Sequence, residues 1–396
     1  MEYFELLPLT KYEEDGEGIS LLSIMQRKWI DFDSRKSIKL KKIIEEGLPE
    51  KWEEDEVISS IVNEIMDHGM GYIYDRKVYM DSYRAKRSVS LSGLTEQMPI
   101  LRKVFIDMNG PCDLDGFDCN GLINNKCMTC LSGADNNTVF DFKRIIQCVD
   151  RILDMNVMEY VIMGGNPFGR IDELILIVDR IREKRKDVNI TLQTIGNKLL
   201  NDENVKILKN NKMIVKFSIL DLKECIDYDN NICIIKKNIE KLDSEGIEWQ
   251  IAFVGEENSL YLTEIKKHHI KVDIMCDTYS RDKGIGFVSV EERRVKYLDE
   301  YVENDKVIGC MDKILTISPE GRYKVCPYMD DITEEQPSDL DFIFQNHLQS
   351  KYWLKSKKSY SECKKCRYNS YCKNCMLLDE AVKEKSIALK DICNRK

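Results

Sequence analysis

The sequence predicts an α/β protein with a parallel central sheet, a small N-terminal domain and a cysteine-rich C-terminal region. Three observations support this fold class. Short apolar runs alternate with helix-length amphipathic runs between residues 104 and 276, the first 95 residues hold strand-like and helix-like runs of their own, and four cysteines fall within residues 363–375. A chain of 396 residues can bury a core without disulfide bonds.

The N-terminal domain is predicted over residues 1–95. Residues 3–10 and 19–32 are expected to form short strands, and a helix should run from a capping Asp33 or Ser34 to Gly47. A second helix has an apolar face, and a hairpin-like pair at residues 72–80 follows it. The face consists of Val57, Ile58, Ile61, Val62 and Ile65. Strands, then helices, then a β wing are typical of a small winged-helix fold.

Repeating strand–helix units form the second predicted domain, residues 100–305. Strands are expected at 104–108, 157–163, 188–194, 214–219, 247–254 and 270–276, and helices at 140–155, 171–186, 233–244 and 260–267. Such repeats predict a parallel sheet with right-handed crossovers. Binding sites in these sheets lie at the carboxyl ends of the strands, so the residues after 108 and 163 should share one edge.

Cysteine usage indicates metal chemistry. The N-terminus lacks the basic start and apolar run of a secretory signal, and no apolar stretch approaches twenty residues, so we expect a cytoplasmic protein without a membrane partner. Fifteen cysteines in a reducing compartment suit metal binding better than disulfides. Because the chain has only four histidines, thiolates should supply most of the ligands, which indicates zinc or iron–sulfur clusters. A net charge of −9 argues against nucleic acid as a partner.

The cysteines that suit metal binding fall into three groups. Four follow the first central strand, two form a C-x10-G-x4-C spacing, and four form a C-x2-C-x5-C-x2-C run with one more cysteine behind it. In order, the groups are Cys112, Cys119, Cys127 and Cys130; Cys310 and Cys326; and Cys363, Cys366, Cys372 and Cys375 with Cys393. Structural zinc is the alternative for each group. The remaining cysteines, Cys148, Cys225, Cys233 and Cys276, are expected to be small core residues.

Several motifs together resemble the radical S-adenosylmethionine superfamily, in its form with a C-terminal SPASM extension, over residues 103–393. The last two cysteine groups resemble the seven-cysteine SPASM signature, and "VIMGGNPFG" at 161–169 is similar to the Gly-Gly-Glu motif of the family. "ITLQTIGNKLL" at 190–200 and "VKFSILD" at 215–221 resemble the next two strands. The resemblance implies an incomplete (β/α)6 barrel, a SPASM domain at 306–396 and an N-terminal winged-helix element that recognises a peptide.

The resemblance also implies which residues bind each cofactor. S-adenosylmethionine would contact Gly164, Gly165, Asn166, Pro167, Thr194, Ser218 and Asp221. Three [4Fe–4S] clusters are implied. The first would be held by Cys112, Cys127 and Cys130, with Cys119 as a rival to Cys112, because the first gap is longer than in the C-x3-C-x2-C loop of the family. Cys310, Cys326 and Cys375 would hold one auxiliary cluster, with an open iron or Cys276 at the fourth position. Cys363, Cys366, Cys372 and Cys393 would hold the other.

The implied activity is the modification of a ribosomally synthesised precursor peptide, gripped through its leader segment. An electron donor such as flavodoxin or ferredoxin would reduce the first cluster, and the 5′-deoxyadenosyl radical released from S-adenosylmethionine would abstract a substrate hydrogen. A cysteine thioether crosslink is the favoured product. Alternatives are formylglycine formation by a sulfatase-type maturase, and C–C crosslinking or epimerisation by another SPASM enzyme. The rival from another class is a zinc-ribbon, winged-helix binding protein. No catalytic base is assigned, since Asp277 and Asp282 are interpreted as solvated loop residues.

Overall fold

The fold is taken from a computed structural model of the chain, which divides into two compact units. The first unit comprises Met1–Leu94, Val290–Gly309 and Leu354–Asp379, and the second comprises the rest. Residues 354–379, predicted as part of a C-terminal domain, thus group with the N-terminal residues. The described residues are 2–7, 10–23, 28–76, 100–109, 139–196, 198–220, 228–254, 272–276, 279–280, 284–285, 312–327, 329, 331–355, 359, 364 and 366–367.

The first unit contains two small antiparallel sheets and two helices around one apolar core. Strands β2, β3 and β4 form one sheet in that order, and β1 pairs with β5 in the other. The elements are β1 (Tyr3–Leu6), β2 (Thr10–Glu14), β3 (Gly18–Ser23), β4 (Lys28–Asp33), α1 (Ser34–Glu46), a 3-10 turn (Trp52–Glu54), α2 (Glu56–Asp67) and β5 (Gly71–Tyr74).

Side-chain caps fix the start of both helices. The Asp33 carboxylate accepts a hydrogen bond from the Lys36 amide at 2.8 Å, and α1 ends at Gly47, as predicted. Asp55 caps α2 in the same way and also binds Lys39 of α1 at 2.8 Å, which joins the two helices. The predicted apolar face of α2 is confirmed, with four buried residues and a half-buried Val57. The buried ones are Ile58, Ile61, Val62 and Ile65.

The predicted hairpin-like pair at residues 72–80 is only partly described. Its first half is β5, which pairs with β1 in the register Tyr3↔Tyr74 to Leu6↔Gly71. Its second half lies outside the described residues, so the β wing stays a prediction. The pairing of β5 with β1 was not predicted, because it joins residues that are far apart in the sequence.

A buried ion pair links the turn between β2 and β3 to the cysteine-rich end of the chain. Asp15 Oδ1 accepts hydrogen bonds from the Glu17 and Gly18 amides and lies 3.6 Å from Arg367 Nη1. The Arg367 amide donates to Asp15 Oδ2 at 3.3 Å. The Asp15 side chain is only 4% exposed and the Arg367 side chain only 8%. A Cβ atom at Gly18 would lie 2.6 Å from Arg367, so a residue without a side chain is needed under the guanidinium.

The second unit is built on an eight-stranded sheet with helices between its parallel strands. Its strand order is β13-β12-β11-β10-β9-β7-β16-β17. The strands of the unit are β6 (Ile100–Leu101), β7 (Lys103–Asp107), β8 (Asn156–Val157), β9 (Glu159–Met163), β10 (Asn189–Thr194), β11 (Ile214–Leu220), β12 (Trp249–Val254), β13 (Val272–Cys276), β14 (Tyr279–Ser280), β15 (Gly284–Ile285), β16 (Ile314–Ile317) and β17 (Tyr323–Lys324). The helices are α3 (Phe142–Leu153), α4 (Ile171–Lys184), α5 (Asp202–Asn210), α6 (Tyr228–Ser244), α7 (Leu340–Gln345) and α8 (Ser350–Trp353).

The α/β fold class and the parallel arrangement are confirmed. Every pairing between neighbours from β16 through β7 to β13 is parallel, and β17 alone runs antiparallel to its neighbour β16. Four helices differ from prediction: α5, α7 and α8 were not predicted, and α6 begins five residues before the predicted start at 233. The helix expected at 260–267 lies outside the described residues. None of the described helices combines the length and apolar character needed to cross a bilayer.

The two faces of this sheet differ in chemistry. Strand order proceeds from β7 to β13 without reversing, so right-handed crossovers put the connecting helices on a single face. Alternate residues define an apolar face, which matches the apolar stripes of α3 and α4, and a polar face opposite it. The apolar face carries Val104, Ile106, Tyr160, Ile162, Ile190, Leu192, Val215 and Phe217, all buried. The polar face carries Lys103, Asp107, Glu159, Thr191, Gln193, Lys216 and Ser218, interspersed with the apolar Phe105, Val161, Met163 and Ile214.

The hairpin of β16 and β17 extends the sheet beside β7. Residues 314–317 pair in parallel with residues 103–106, and the hairpin turns at Gly321, the glycine of the C-x10-G-x4-C spacing. Tyr323 donates a hydrogen bond to the Cys148 carbonyl at 3.1 Å, and the Cys148 thiol donates to the Gly321 carbonyl at 3.3 Å. These bonds fix the hairpin on α3, so the chain reaches Cys326 from an anchored strand.

Replacing Asp15 by Asn should destabilise the first unit. The amide oxygen can still cap the turn, but the buried Arg367 guanidinium loses its counter-charge, so we expect the free energy of unfolding to fall by about 3 kcal/mol. Urea unfolding followed by tryptophan fluorescence measures this in a Trp249→Phe, Trp353→Phe background, where Trp29 and Trp52 of the first unit remain.

Two control variants accompany this measurement. Glu17→Gln removes a charge from an exposed side chain of the same turn and should leave the unfolding midpoint unchanged. Asp15→Asn combined with Arg367→Met should recover most of the lost stability, because no buried charge remains. An unchanged midpoint for Asp15→Asn alone would contradict a stabilising role for the pair.

Candidate functional site

The carboxyl ends of four parallel strands meet at one edge of the sheet in the second unit. Asp107 at the end of β7 lies opposite Met163 at the end of β9, and the Met108 amide donates to the Met163 carbonyl at 2.7 Å. Thr194 at the end of β10 lies opposite Phe217 of β11, next to Ser218. The structure therefore brings the described members of the predicted S-adenosylmethionine site to one edge, as the βα repeats predict. Asp221 lies outside the described residues.

The turn after β9 depends on two glycines. Gly164 and Gly165 have φ angles of 102° and 61°, a region that residues with side chains rarely adopt. Both glycines are buried, and the chain then forms a short 3-10 helix, Pro167–Arg170. The Gly-Gly pair thus brings main-chain amides to the carboxyl edge, where anionic groups of a ligand can accept their hydrogen bonds.

Asn166 caps the 3-10 helix that follows. Its Oδ1 accepts a hydrogen bond from the Phe168 amide at 3.2 Å, and Pro167 occupies the first helical position and is buried. An amide oxygen has two lone pairs, so this cap still leaves capacity for one ligand donor. The role of Asn166 in cofactor binding stays a prediction.

Ser218 carries a buried hydroxyl on the polar face. Its side chain is fully buried, and no hydrogen-bond partner for its Oγ lies among the described residues. A buried hydroxyl without a partner costs free energy, so this atom is a candidate to bind a ligand. Thr194 is buried at the end of the neighbouring strand.

Two polar residues, Asp107 and Asn109, set the backbone at the end of β7, where the sequence predicts a turn beginning at Asn109. Asp107, 5% exposed, accepts a hydrogen bond from the Asn109 amide at 2.9 Å, and Asn109 has a positive φ of 42°. The Asp107 carboxylate thereby sets the direction in which the chain leaves β7 toward Cys112. An acidic residue inside the apolar run "VFIDM" is the sequence signal for this turn.

The other end of this segment is anchored as well. The Asp141 amide donates to the Pro319 carbonyl of the β16–β17 hairpin at 2.9 Å, and the Asp141 side chain caps α3. Arg170 lies between both ends: its Nε donates to the Asn109 carbonyl at 3.2 Å, and its guanidinium lies 3.9 Å from the centre of the Phe140 ring. No motif marks Arg170 or Phe140, so sequence reasoning missed them.

Most predicted cluster ligands lie outside the described residues. These are Cys112, Cys119, Cys127, Cys130, Cys310, Cys363, Cys372, Cys375 and Cys393. The thiols of Cys326 and Cys366, in the second and first unit respectively, are half-buried. Within the described ranges, no three metal-binding side chains come together. The predicted ligand sets therefore stay predictions.

Two further cysteines are described with their side chains. Cys148 is buried, and burial raises the pKa of its thiol, so it stays protonated and is a core residue, as predicted. Cys233 is exposed near the start of α6, so its assignment to the core was wrong. The amphipathic run that suggested burial places this residue on the outer side of the helix.

The carboxyl edge suits a polar, nucleotide-like ligand. It offers buried glycine amides, a buried hydroxyl without a partner among the described residues, and polar side chains on the face opposite the described connecting helices. Such an edge of a parallel sheet is the usual location of ligand sites. These groups fit the amino-acid and ribose portions of S-adenosylmethionine, both of which need hydrogen-bond partners. Among the residues that the structure describes, this edge holds no cluster of acidic side chains of the kind that binds magnesium.

Comparison with known proteins gives matches among solved structures alone. No protein-family model matches the sequence, and no curated protein is significantly similar to it. Streptococcus suis SuiB bound to precursor peptide SuiA matches with a TM-score of 0.51 and 14% identity, covering 100% of this chain and 99% of that chain.

Two further structures match less closely. SuiB bound to S-adenosylmethionine has a TM-score of 0.49 and 15% identity over 96% of this chain and 97% of that one. The protein anSMEcpe with bound AdoMet has a TM-score of 0.47 and 16% identity over 69% of this chain and 88% of that one. The end-to-end match to the SuiA complex shows a shared fold. This shared fold agrees with the α/β fold class predicted from the sequence.

Proposed function

We propose that this protein is a radical S-adenosylmethionine enzyme that modifies a ribosomally synthesised precursor peptide. One observation carries the proposal: the chain enters its first cysteine-bearing segment at the carboxyl edge of the sheet, beside the Gly164-Gly165 turn. A cofactor at this edge would be within reach of both thiolates and glycine amides. The shared fold with SuiB supports the same reading.

S-adenosylmethionine would be held by groups from three neighbouring strands. The amides after β9 and the Asn166 side chain would bind its amino-acid end, and the Ser218 hydroxyl would bind its ribose. Thr194 at the end of β10 and Asp221, the residue after β11, are further predicted contacts. Bound to a reduced [4Fe–4S] cluster, this cofactor supplies a 5′-deoxyadenosyl radical that removes hydrogen from carbon. The part of the protein is to hold the reacting groups close together and exclude water.

The cysteines would hold three [4Fe–4S] clusters. Cys112, Cys127 and Cys130, or Cys119 in place of Cys112, would leave one iron open at the first cluster. Cys326 and Cys366 belong to the two auxiliary sets, and their half-buried thiols are compatible with ligands that face a cluster on one side. A flavodoxin or ferredoxin in the cytoplasm would supply the electron.

The first unit would grip the leader of the precursor peptide. Its three-stranded antiparallel sheet has β2 and β4 at its edges, and an extended peptide can add to such an edge through main-chain hydrogen bonds. SuiB, which shares the fold, is described in complex with its precursor peptide SuiA. The winged-helix assignment of this unit and the SPASM assignment of the cysteine-rich end are part of the proposal.

The favoured product is a thioether between a cysteine sulfur and a carbon of the same peptide. This choice rests on the auxiliary set Cys310, Cys326 and Cys375, which is one protein thiolate short of four. An iron with an open position there can bind the substrate thiol and accept the electron that bond formation releases.

Removing Cys127 tests the first cluster. Anaerobically reconstituted wild-type protein should hold roughly twelve irons per chain and release 5′-deoxyadenosine from S-adenosylmethionine on reduction. Cys127→Ala should lose about a third of the iron and all of this release. Cys233→Ala, which changes an exposed cysteine on α6, should behave as wild type. A colourless wild-type protein that retains zinc would refute the enzyme and support a zinc-ribbon binding protein.

Replacing Ser218 by Ala should have opposite effects on stability and on binding. Loss of a buried hydroxyl without a described partner should raise the unfolding free energy by about 1 kcal/mol, whereas affinity for S-adenosylmethionine should fall about fivefold. Thermal unfolding and equilibrium dialysis measure the two quantities.

Thr316→Val is the matched control for Ser218→Ala. Thr316 of β16 also has a buried hydroxyl without a partner among the described residues, but its row of the sheet, through Phe105 and Ile214, lies four residues before Ser218 along β11. This variant should gain stability without losing affinity. Equal affinity in both variants would argue against a contact between Ser218 and the cofactor.

The product is tested with a short cysteine-containing peptide encoded beside the gene. After turnover, a thioether should lower the peptide mass by two hydrogen atoms and protect the cysteine from alkylation, as mass spectrometry can detect. Loss of the sulfur with gain of an aldehyde would indicate formylglycine instead. Removal of the leader should abolish modification, since the core sequence alone would lack its docking strand.

A further inference from the structure

Arg170 contacts both flanks of residues 110–138, the segment that carries the first cysteine group. On the N-terminal flank its Nε donates to the Asn109 carbonyl at 3.2 Å. On the C-terminal flank its guanidinium carbon lies 3.9 Å from the centre of the Phe140 ring. A single side chain therefore joins the residue before this segment to a residue just after it.

The position of Arg170 is itself fixed by the sheet. Arg170 is the last residue of the 3-10 helix that follows the Gly164-Gly165 turn, so its backbone is tied to the end of β9. Among the described residues, the Glu173 carboxylate pairs with it at 4.0 Å, and both side chains are about one third exposed. Such a half-exposed ion pair contributes little, so the hydrogen bond and the stacking carry the connection.

The two contacted residues are held from their own sides as well. The Asn109 amide donates to Asp107 at 2.9 Å, and the Asn109 carbonyl accepts from Arg170 at 3.2 Å. The Phe140 ring stacks on Phe142, the first residue of α3, with ring centres 6.3 Å apart. The guanidinium thus contacts a residue just after β7 and a residue just before α3, where a planar group can donate in its plane and stack with its face.

We propose that Arg170 is a positioning residue for the first cluster, which sets the separation of the two ends of the cysteine-bearing segment. The inference rests on the proposed function, since it takes this segment as the cluster-binding one. Joined ends reduce the conformational freedom of the chain between them. Thiolates on a segment restrained in this way lose less entropy when one cluster gathers them, so the restraint favours cluster assembly.

Arg170→Gln tests the connection in the full-length apoprotein. The variant keeps a polar side chain but loses the charge and the planar, stacking group. Lys126 is the one trypsin site between residues 110 and 138, and cleavage there should become about tenfold faster. The matched control is Arg180→Gln, because Arg180 pairs with Asp150 at 3.1 Å and contacts neither flank. Cleavage of the control should proceed at the wild-type rate.

The reconstituted enzyme supplies a spectroscopic readout. Arg170→Gln should hold about four fewer irons per chain than wild type, and the change that S-adenosylmethionine causes in the electron paramagnetic resonance spectrum should disappear. Signals of the auxiliary clusters should remain. Arg170→Lys keeps the charge but not the planar group, so it should lack the same iron and the same spectral change as Arg170→Gln. Phe140→Leu, which removes the stacking partner, should lack them as well.

The outcomes separate this proposal from the proposed function. Wild-type cleavage and wild-type iron content in Arg170→Gln would overturn the positioning role, as would full rescue by Arg170→Lys. If Arg170→Gln also lowers the thermal midpoint, general destabilisation could explain its faster cleavage. The Phe140→Leu variant then tests the contact itself, and cleavage at the wild-type rate in that variant would overturn the proposal. A wild-type protein that assembles no cluster defeats the proposed function, while faster cleavage in the apoprotein still supports the joining of the two flanks.

Discussion

The parallel registry of β7, β9, β10 and β11 is the constraint on which the candidate site depends. Parallel neighbours must end at the same edge, so turns far apart in the sequence meet there without any contact between their side chains. Because the strand order does not reverse, right-handed crossovers put the described connecting helices on the apolar face. Among the described residues, the polar face then offers the surface on which a ligand can be bound.

Backbone conformation at the strand ends converts this registry into a site. Gly164 and Gly165 adopt positive φ angles after β9, and Asn109 adopts one after β7, where Asp107 holds its amide. Each turn redirects the chain at the edge of the sheet. Two side chains act at these turns. Asn166 caps the 3-10 helix that follows Gly165, and Arg170 at the end of that helix donates a hydrogen bond to the Asn109 carbonyl after β7.

Local signals made much of the fold predictable. Asp33 marks the start of α1 and Gly47 marks its end, and the apolar spacing of α2 identifies its buried face. These features are predictable because each signal lies within a few residues of the element that it defines. Helix α5 was missed because it has only nine residues, two of them buried, and rests on the capping box of Asn201 and Asn204. The pairing of β16 with β7 and the position of Arg170 arise from long-range contacts, which no local pattern encodes.

The Asp15–Arg367 pair has a consequence for biosynthesis. Its partners are separated by 352 positions, and a ribosome adding roughly 5–20 residues per second needs about 20–70 seconds to pass from one to the other. During that interval the β2–β3 turn has formed without the guanidinium that later covers it. The N-terminal sheet can therefore reach its final state only after Arg367 has been synthesised, and until then this acidic turn lacks the side chain that covers it.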